Sequence, residues 1–247
     1  MEIICGINSV FEAIKAGRRK VFSLYIAEGK QNPAIAKIAE LASQKGIKTK
    51  TLPRSKLLEL THVETNQGIA AEADSFKYLA IEELIALVKQ GGEPAFIIIL
   101  DQVNDPHNLG AIIRTAHLIG AHGLVIPKDN SSDVGPTVAK AASGAIEYLP
   151  IVKVTNLNAA INLLKNNNIW VVGAEGESPK TIYDYDFTTP VAIVLGGEGK
   201  GLRRLVRENC DELLTIPMKG KLDSFNVSVA GAIIMAEVMR QRGYQAA

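Results

Sequence analysis

Hydrophobic positions in the first third of the chain switch repeatedly between helical and strand-like spacing. Val10, Ala13 and Ile14 form a helical stripe, Val21–Ala27 reads as a strand, and residues 33–45 form a helix with Pro33 in its first turn. A short strand over 47–52, a short helix over 55–60 and a strand over 68–73 complete the pattern. Residues 1–73 therefore read as a small α/β domain. Residues 74–94 read as a linker whose amphipathic helix carries Ile81, Leu84, Ile85 and Val88 and is closed by Gly91, Gly92 and Pro94. Residues 95–247 read as a second domain.

Beyond Pro94 the alternation lengthens. Strands are expected over 96–100, 123–126, 148–152, 169–173, 191–195 and 213–216. Helices are expected over 109–119, 134–142, 158–165 and 202–208, with a long terminal helix opening within 224–228. Several of these strands are apolar throughout, as strands covered on both faces are. The fold class is α/β, with a mostly parallel sheet flanked by helices in the second domain. Ligands in such sheets bind at the carboxyl ends of the strands.

Composition adds exclusions. The chain has 247 residues, 47% of them hydrophobic and 21% charged, and a formal net charge of +1, so a nucleic-acid partner has to be held by local basic patches. Two cysteines, Cys5 and Cys210, lie far apart without C-x-x-C spacing, and the four histidines show no ligand spacing, so no disulfide framework or metal site is expected. The N-terminus lacks a basic region followed by an apolar one, and the apolar run 95–100 is far too short to span a bilayer. A soluble, cytoplasmic protein without a membrane partner is the expectation.

Three loops after strands carry candidate chemistry. The first, 101–108, leads into a helix whose buried stripe is Leu109, Ile112, Ile113, Ala116 and Gly120. Asn108 is placed to cap that helix, and Arg114 lies off the stripe with Gly110 and Leu118 at i±4, so its partner is expected outside the helix, a phosphate for example. The second reads Gly196, Gly197, Glu198, Gly199, Lys200, Gly201, which lets backbone approach a ligand but matches neither a P-loop nor G-x-G-x-x-G. The third runs from a strand through Pro217, Lys219, Lys221 and Asp223 to Ser224, Phe225 and Asn226 at the start of the last helix. A cluster at a helix end, Lys15, Arg18, Arg19 and Lys20, is either a complement to the helix dipole or a phosphate-contacting patch. Arg203, Arg204 and Arg207 form a second basic run that reads equally well as a solvated helix face. Neither run interleaves aromatic residues in sequence.

The stretches N-L-G-A-I-I-R-T-A (108–116), L-G-G-E-G-K-G-L (195–202) and I-P-M-x6-S-F-N-V-S-V-A (216–230) resemble, in order and internal spacing, the three motifs of the SpoU (TrmH-like) ribose 2′-O-methyltransferases of the SPOUT superfamily. The segments GINSVFEAI (6–14) and NQGIAAEA (66–73) resemble a small RNA-binding domain related to ribosomal protein L30e. The resemblance implies S-adenosylmethionine-dependent 2′-O-methylation of a guanosine ribose in 23S ribosomal RNA, a deep trefoil knot in the C-terminal domain, and a homodimer formed through that domain. It further implies a polar active-site set of Asn108, Arg114, Glu198, Ser224 and Asn226. Leu195, Gly196, Gly197, Ile216, Met218 and Phe225 would form the cofactor site, and Lys15, Arg18, Arg19 and Lys20 would contact RNA. Phe225 stands where the family commonly has Leu, and Asn66 where a His often precedes Gln-Gly. Transfer RNA as substrate, and a non-catalytic RNA-binding protein, are the competing readings. A nicotinamide-dependent enzyme is disfavoured by the missing G-x-G-x-x-G.

Overall fold

The computed structural model describes residues 1–29, 32–197 and 201–243. In chain order the first elements are β1 (Glu2–Cys5), α1 (Ile7–Ala16), β2 (Val21–Ala27), α2 (Pro33–Gln44), β3 (Lys48–Leu52), α3 (Arg54–Thr61), β4 (Ile69–Ala73) and α4 (Ile81–Gly91). There follow β5 (Phe96–Asp101), α5 (Pro106–Leu118), β6 (Gly123–Pro127), α6 (Pro136–Ala141), β7 (Ile151–Val154) and α7 (Leu157–Lys165). The last are β8 (Trp170–Ala174), β9 (Val191–Gly196), α8 (Arg204–Asn209), β10 (Glu212–Leu214) and α9 (Val227–Arg242).

The chain divides into two compact units: Met1–Lys77 with Asp133–Tyr148, and Tyr78–Ser132 with Leu149–Ala247. In the first, a four-stranded sheet has the order β1-β4-β2-β3, with β4 antiparallel to β1 and β2, and β3 parallel to β2. Val10, Ala13 and Ile14 of α1 pack with Ile35, Ile38 and Ala42 of α2 over Leu24 and Ile69. Leu57 of α3 closes a smaller core with Cys5, Ala27 and Ala70. β1 had no counterpart in the sequence reading. Its four residues pair with one strand only, too short a stretch for alternation to show. Asn66 is buried and shapes the turn into β4, its Oδ1 accepting from Gly68 N at 2.9 Å.

Residues 133–148 follow β6 yet belong to this first unit. Ser9 Oγ donates to the Ala139 carbonyl at 3.0 Å, and Tyr148 donates its hydroxyl to Glu12 at 2.5 Å. Burial and the Glu12 carboxylate push the Tyr148 hydroxyl up to about 12. Gly144, at φ +86°, stands so near α1 that a Cβ there would meet Glu12 Cβ at 2.6 Å.

The second unit is a six-stranded sheet of order β10-β8-β9-β5-β6-β7, and every neighbouring pair is parallel. β5 and β6 are buried along their whole length, as their unbroken apolar runs require. α4, α7 and α8 contribute Leu84, Val88, Leu157, Ile161 and Val206 to the core on one side. α5 and α9 pack against each other, and α9 lies on β9, where Gly231 leaves room for Leu195. α4, which the sequence placed in a linker, buries Leu84, Ile85 and Val88 here. Among the described residues no helix is long and apolar enough to cross a membrane.

Candidate active site

β5 ends in Asp101, which is fully buried, and the next residue, Gln102, turns the chain with φ +64°. The Asp101 carboxylate reaches the start of α8: Oδ2 accepts from Arg203 N at 2.8 Å and Oδ1 from Arg203 Nε at 2.6 Å. This clamp brackets the glycine-rich turn after β9. A Cβ on Gly196 would lie 2.3 Å from the Gly201 carbonyl carbon, and one on Gly197 would lie 2.3 Å from the Gln102 oxygen. Both obstacles are backbone, so only glycine fits. Glu198, assigned to the active site from sequence, lies outside the described residues, as do Gly199 and Lys200.

Asn108 does not cap α5, contrary to the sequence reading. Asp105 does, its Oδ1 accepting from His107 N at 3.0 Å, with Pro106 at the first helical position. Asn108 sits one turn into the helix, buried, and its Oδ1 accepts from Asn226 Nδ2 at 3.0 Å. Asn226 is the N-cap of α9: its own Oδ1 accepts from Ser228 N at 2.9 Å and Val229 N at 3.4 Å. Those backbone donors fix the orientation of the Asn226 amide, which commits its NH₂ to Asn108. A hydrogen bond thus joins motifs 118 residues apart. Arg114 is exposed on α5, about 9 Å further along the axis than Asn108 and about 120° round it.

Beside this pair lies a cavity of about 320 Å³ at the carboxyl ends of β8, β9 and β10. Leu195, Gly196, Gly197, Ile216, Met218 and Phe225 all line it, and Ser224 joins them on the approach to α9. The wall also holds Glu175, which the sequence reading passed over. Its Oε2 is buried without a hydrogen bond among the described residues. Arg207 Nε stands 3.1 Å from that oxygen as an ion pair, its N–H not aimed at it. A glutamate just past β8, at the ligand-binding end of a parallel strand, was the available signal.

The basic cluster separates. Lys15, Arg18 and Lys20 are exposed, and each lies over an aromatic ring: Phe11 at 5.8 Å, Phe76 at 5.9 Å and Phe22 at 5.2 Å. Phe11 and Phe22 are near neighbours of Lys15 and Lys20 in the chain, and the fold adds the distant Phe76 beside Arg18. Arg19 is turned inward instead. Its Nη2 lies 2.5 Å from Glu147 Oε1, and it also pairs with Glu2. A cation held by two carboxylates is a structural tie within the first unit, not a phosphate contact. Arg203, Arg204 and Arg207 pair with Asp101, Glu208 and Glu175 respectively.

Residues 95–236 match the family model described as the SpoU rRNA Methylase family, and residues 3–79 match the one described as RNA 2′-O ribose methyltransferase substrate binding. YacO of Bacillus subtilis, named as a TrmH family tRNA/rRNA methyltransferase, is 40% identical over 98% of this chain and 96% of its own. The 23S rRNA (guanosine-2′-O-)-methyltransferase RlmB of Coxiella burnetii is 41% identical over 97% of this chain and 95% of its own. Among solved structures, the SpoU methyltransferase AviRb from Streptomyces viridochromogenes in complex with AdoMet superposes with a TM-score of 0.81 at 24% identity. That match covers 97% of this chain and 90% of AviRb. With both units matched by the models and near-complete coverage by the relatives, the chain belongs to the SpoU rRNA Methylase family.

Proposed function

We propose that the protein transfers a methyl group from S-adenosylmethionine to the 2′-oxygen of a guanosine ribose in 23S ribosomal RNA, in the cytoplasm and as a homodimer. The observation that carries the reading is the Asn226–Asn108 hydrogen bond, which joins two motif helices beside the glycine-walled cavity. The family membership and the RlmB relatives support the activity and the substrate.

The cavity fits that cofactor on two counts. Ile216, Met218 and Phe225 offer apolar surface for an adenine, and backbone stands bare where Gly196 and Gly197 leave no side-chain room. The Glu175 carboxylate places negative charge in the wall of a site for a sulfonium cation. When bound, S-adenosylmethionine supplies an electrophilic methyl group. The chain's task is to align the ribose, exclude water and stabilise the 2′-oxygen as it loses its proton. Arg114 serves by gripping the adjacent phosphate with its guanidinium and stabilising developing negative charge. Asn108 and Asn226 hold the ribose side of the site, Ser224 contacts the substrate at the rim, and Glu198 orients the cofactor edge or the target nucleotide. Lys15, Arg18 and Lys20 hold RNA by its backbone.

A homodimer is favoured by α9, whose apolar residues run round its whole circumference, and by the exposure of Val229 on α9 and Leu118 on α5. The test is tritiated methyl transfer from S-adenosylmethionine to deproteinised 23S ribosomal RNA and to transfer RNA, with the product nucleotide mapped. Incorporation at a guanosine 2′-oxygen of ribosomal RNA is expected. Incorporation only into transfer RNA would change the substrate, and incorporation into neither would favour a non-catalytic RNA-binding protein.

A further inference from the structure

A second cavity, of about 660 Å³, opens at the carboxyl ends of β6 and β7, on the α7 and α8 side of the same sheet. Asp129 and Asn130 line it from the end of β6, Thr155 and Asn156 from the end of β7, and Arg203 and Arg204 from the start of α8. Beside apolar residues such as Leu157 and Val206, the charged lining is two arginines and one carboxylate, Asp129. The decisive residue is Arg203. Its Nε edge is held by Asp101, a carboxylate with no solvent exposure, while its two Nη groups make no hydrogen bond among the described residues. A guanidinium fixed from behind by a buried acid presents a pre-oriented planar fork, the geometry that matches a phosphate with two parallel hydrogen bonds. Arg204 stands beside it, its side chain 77% exposed and paired only at the surface with Glu208.

Position selects the kind of phosphate. The first cavity lies along β8, β9 and β10, the second along β6 and β7, and β5 runs between them. With neighbouring strands about 4.8 Å apart, two to three spacings separate the two openings, a distance that a few nucleotides of one strand cover. Asn130 and Thr155 can bond sugar and base edges, and Asp129 accepts from a ribose hydroxyl or a base amino group, neither of which a free phosphate has.

We propose that this cavity is a subsite for the RNA strand, taking a backbone phosphate near the methylated nucleotide on Arg203 and Arg204. The proposal rests on the methyltransferase reading above. Binding of deproteinised 23S ribosomal RNA to the full-length chain, measured by filter retention across a salt series, tests it with Arg204→Gln and the double variant Arg203→Gln/Arg204→Gln. S-adenosylmethionine affinity, measured by calorimetry on the same proteins, is the companion readout. Expected are a three- to tenfold weaker RNA affinity for Arg204→Gln, with its cofactor affinity within twofold of the unsubstituted chain, and a larger loss of RNA affinity for the double variant. The slope of log affinity against log salt should fall by about 0.7 for each phosphate contact removed. Since Arg204 lies at the surface, its variant folds whatever becomes of the Asp101 pair. RNA affinity and salt slope unchanged in both variants would overturn the subsite alone. Failure of the unsubstituted chain to bind RNA would overturn the methyltransferase reading and the subsite with it.

Discussion

Asn226 performs two tasks with the two ends of one amide, and substitution can separate them. Asn226→Asp keeps the oxygen that caps α9 but loses the donor to Asn108, so thermal stability should stay close to the parent while methyl transfer falls at least tenfold. Asn226→Ala should lose both, with about 1 kcal/mol of stability going with the cap. Equal activity in the Asp variant and the parent would remove the Asn226–Asn108 bond from the mechanism. Cys210 offers a prediction about pH. Burial first, then Asp211, pushes its thiol up to about 12. The unfolded thiol ionises near 8.5, so this group's contribution to stability is complete below that pH and declines as pH rises towards 12. Alkylation at pH 8 should therefore be slow in the folded protein and rapid after unfolding, as mass spectrometry can follow. At this scale the sequence exposed the motif residues and the start of α9, but it gave the α5 cap to the wrong residue. Asp105 before Pro106 was the stronger helix-start signal, and Asn108 was read as a cap because its partner is 118 residues away. Glu175 acquires meaning only when the glycine-rich turn folds against it, since Gly201 would carry a Cβ 3.3 Å from its Oε1.

Among elements, α9 depends on its last turn as much as on its first. Arg242 donates to the carbonyls of Phe187, Pro94, Ala95 and Thr189 at 2.7–2.9 Å, fastening the helix end to the entry of β5 and the approach to β9. Arg242→Ala removes four contacts at once, leaves the partly buried Phe187 and Thr189 carbonyls without this donor, and should cost about 2–4 kcal/mol, read as a lowered denaturant midpoint with an unchanged slope. His122 secures the other side of the same region. Phe96 N donates to its Nδ1 at 3.1 Å, and burial holds its pKa below the ordinary histidine value. Folded His122 stays neutral where the unfolded residue would protonate, so its contribution is present above about pH 6.5 and is lost as pH falls. A denaturation series from pH 7.5 to 5 should show that loss, reduced in His122→Gln. The strands and helices of this sheet were legible because each apolar run is long and bounded by Gly, Pro or Asn. The short β1 and β10 escaped or blurred, because pairing rather than periodicity defines them.

At the level of the whole molecule, the backbone passes between the two units at 77/78, 132/133 and 148/149. The family model for substrate binding ends at residue 79, but the unit it matches also needs 133–148. A fragment of residues 1–79 would leave Arg19 without Glu147, and β1 without the cover of α6. Such a fragment should be aggregation-prone or melt well below the first unit of the intact chain, by circular dichroism. A fragment that folds with a sharp, high transition would show that 133–148 is dispensable. Contiguous sequence reading could not reveal the arrangement, because the segment follows β6 with the helix and strand signals of an ordinary crossover.

Those three crossings also bear on how such proteins can be recombined. Exchange of RNA-recognition modules between relatives by splicing at a single junction near residue 79 would leave the recipient's own 133–148 facing a foreign α1. Chimaeras that carry both stretches together preserve the Ser9, Glu12 and Arg19 contacts, and this paired transplant is the natural unit of exchange.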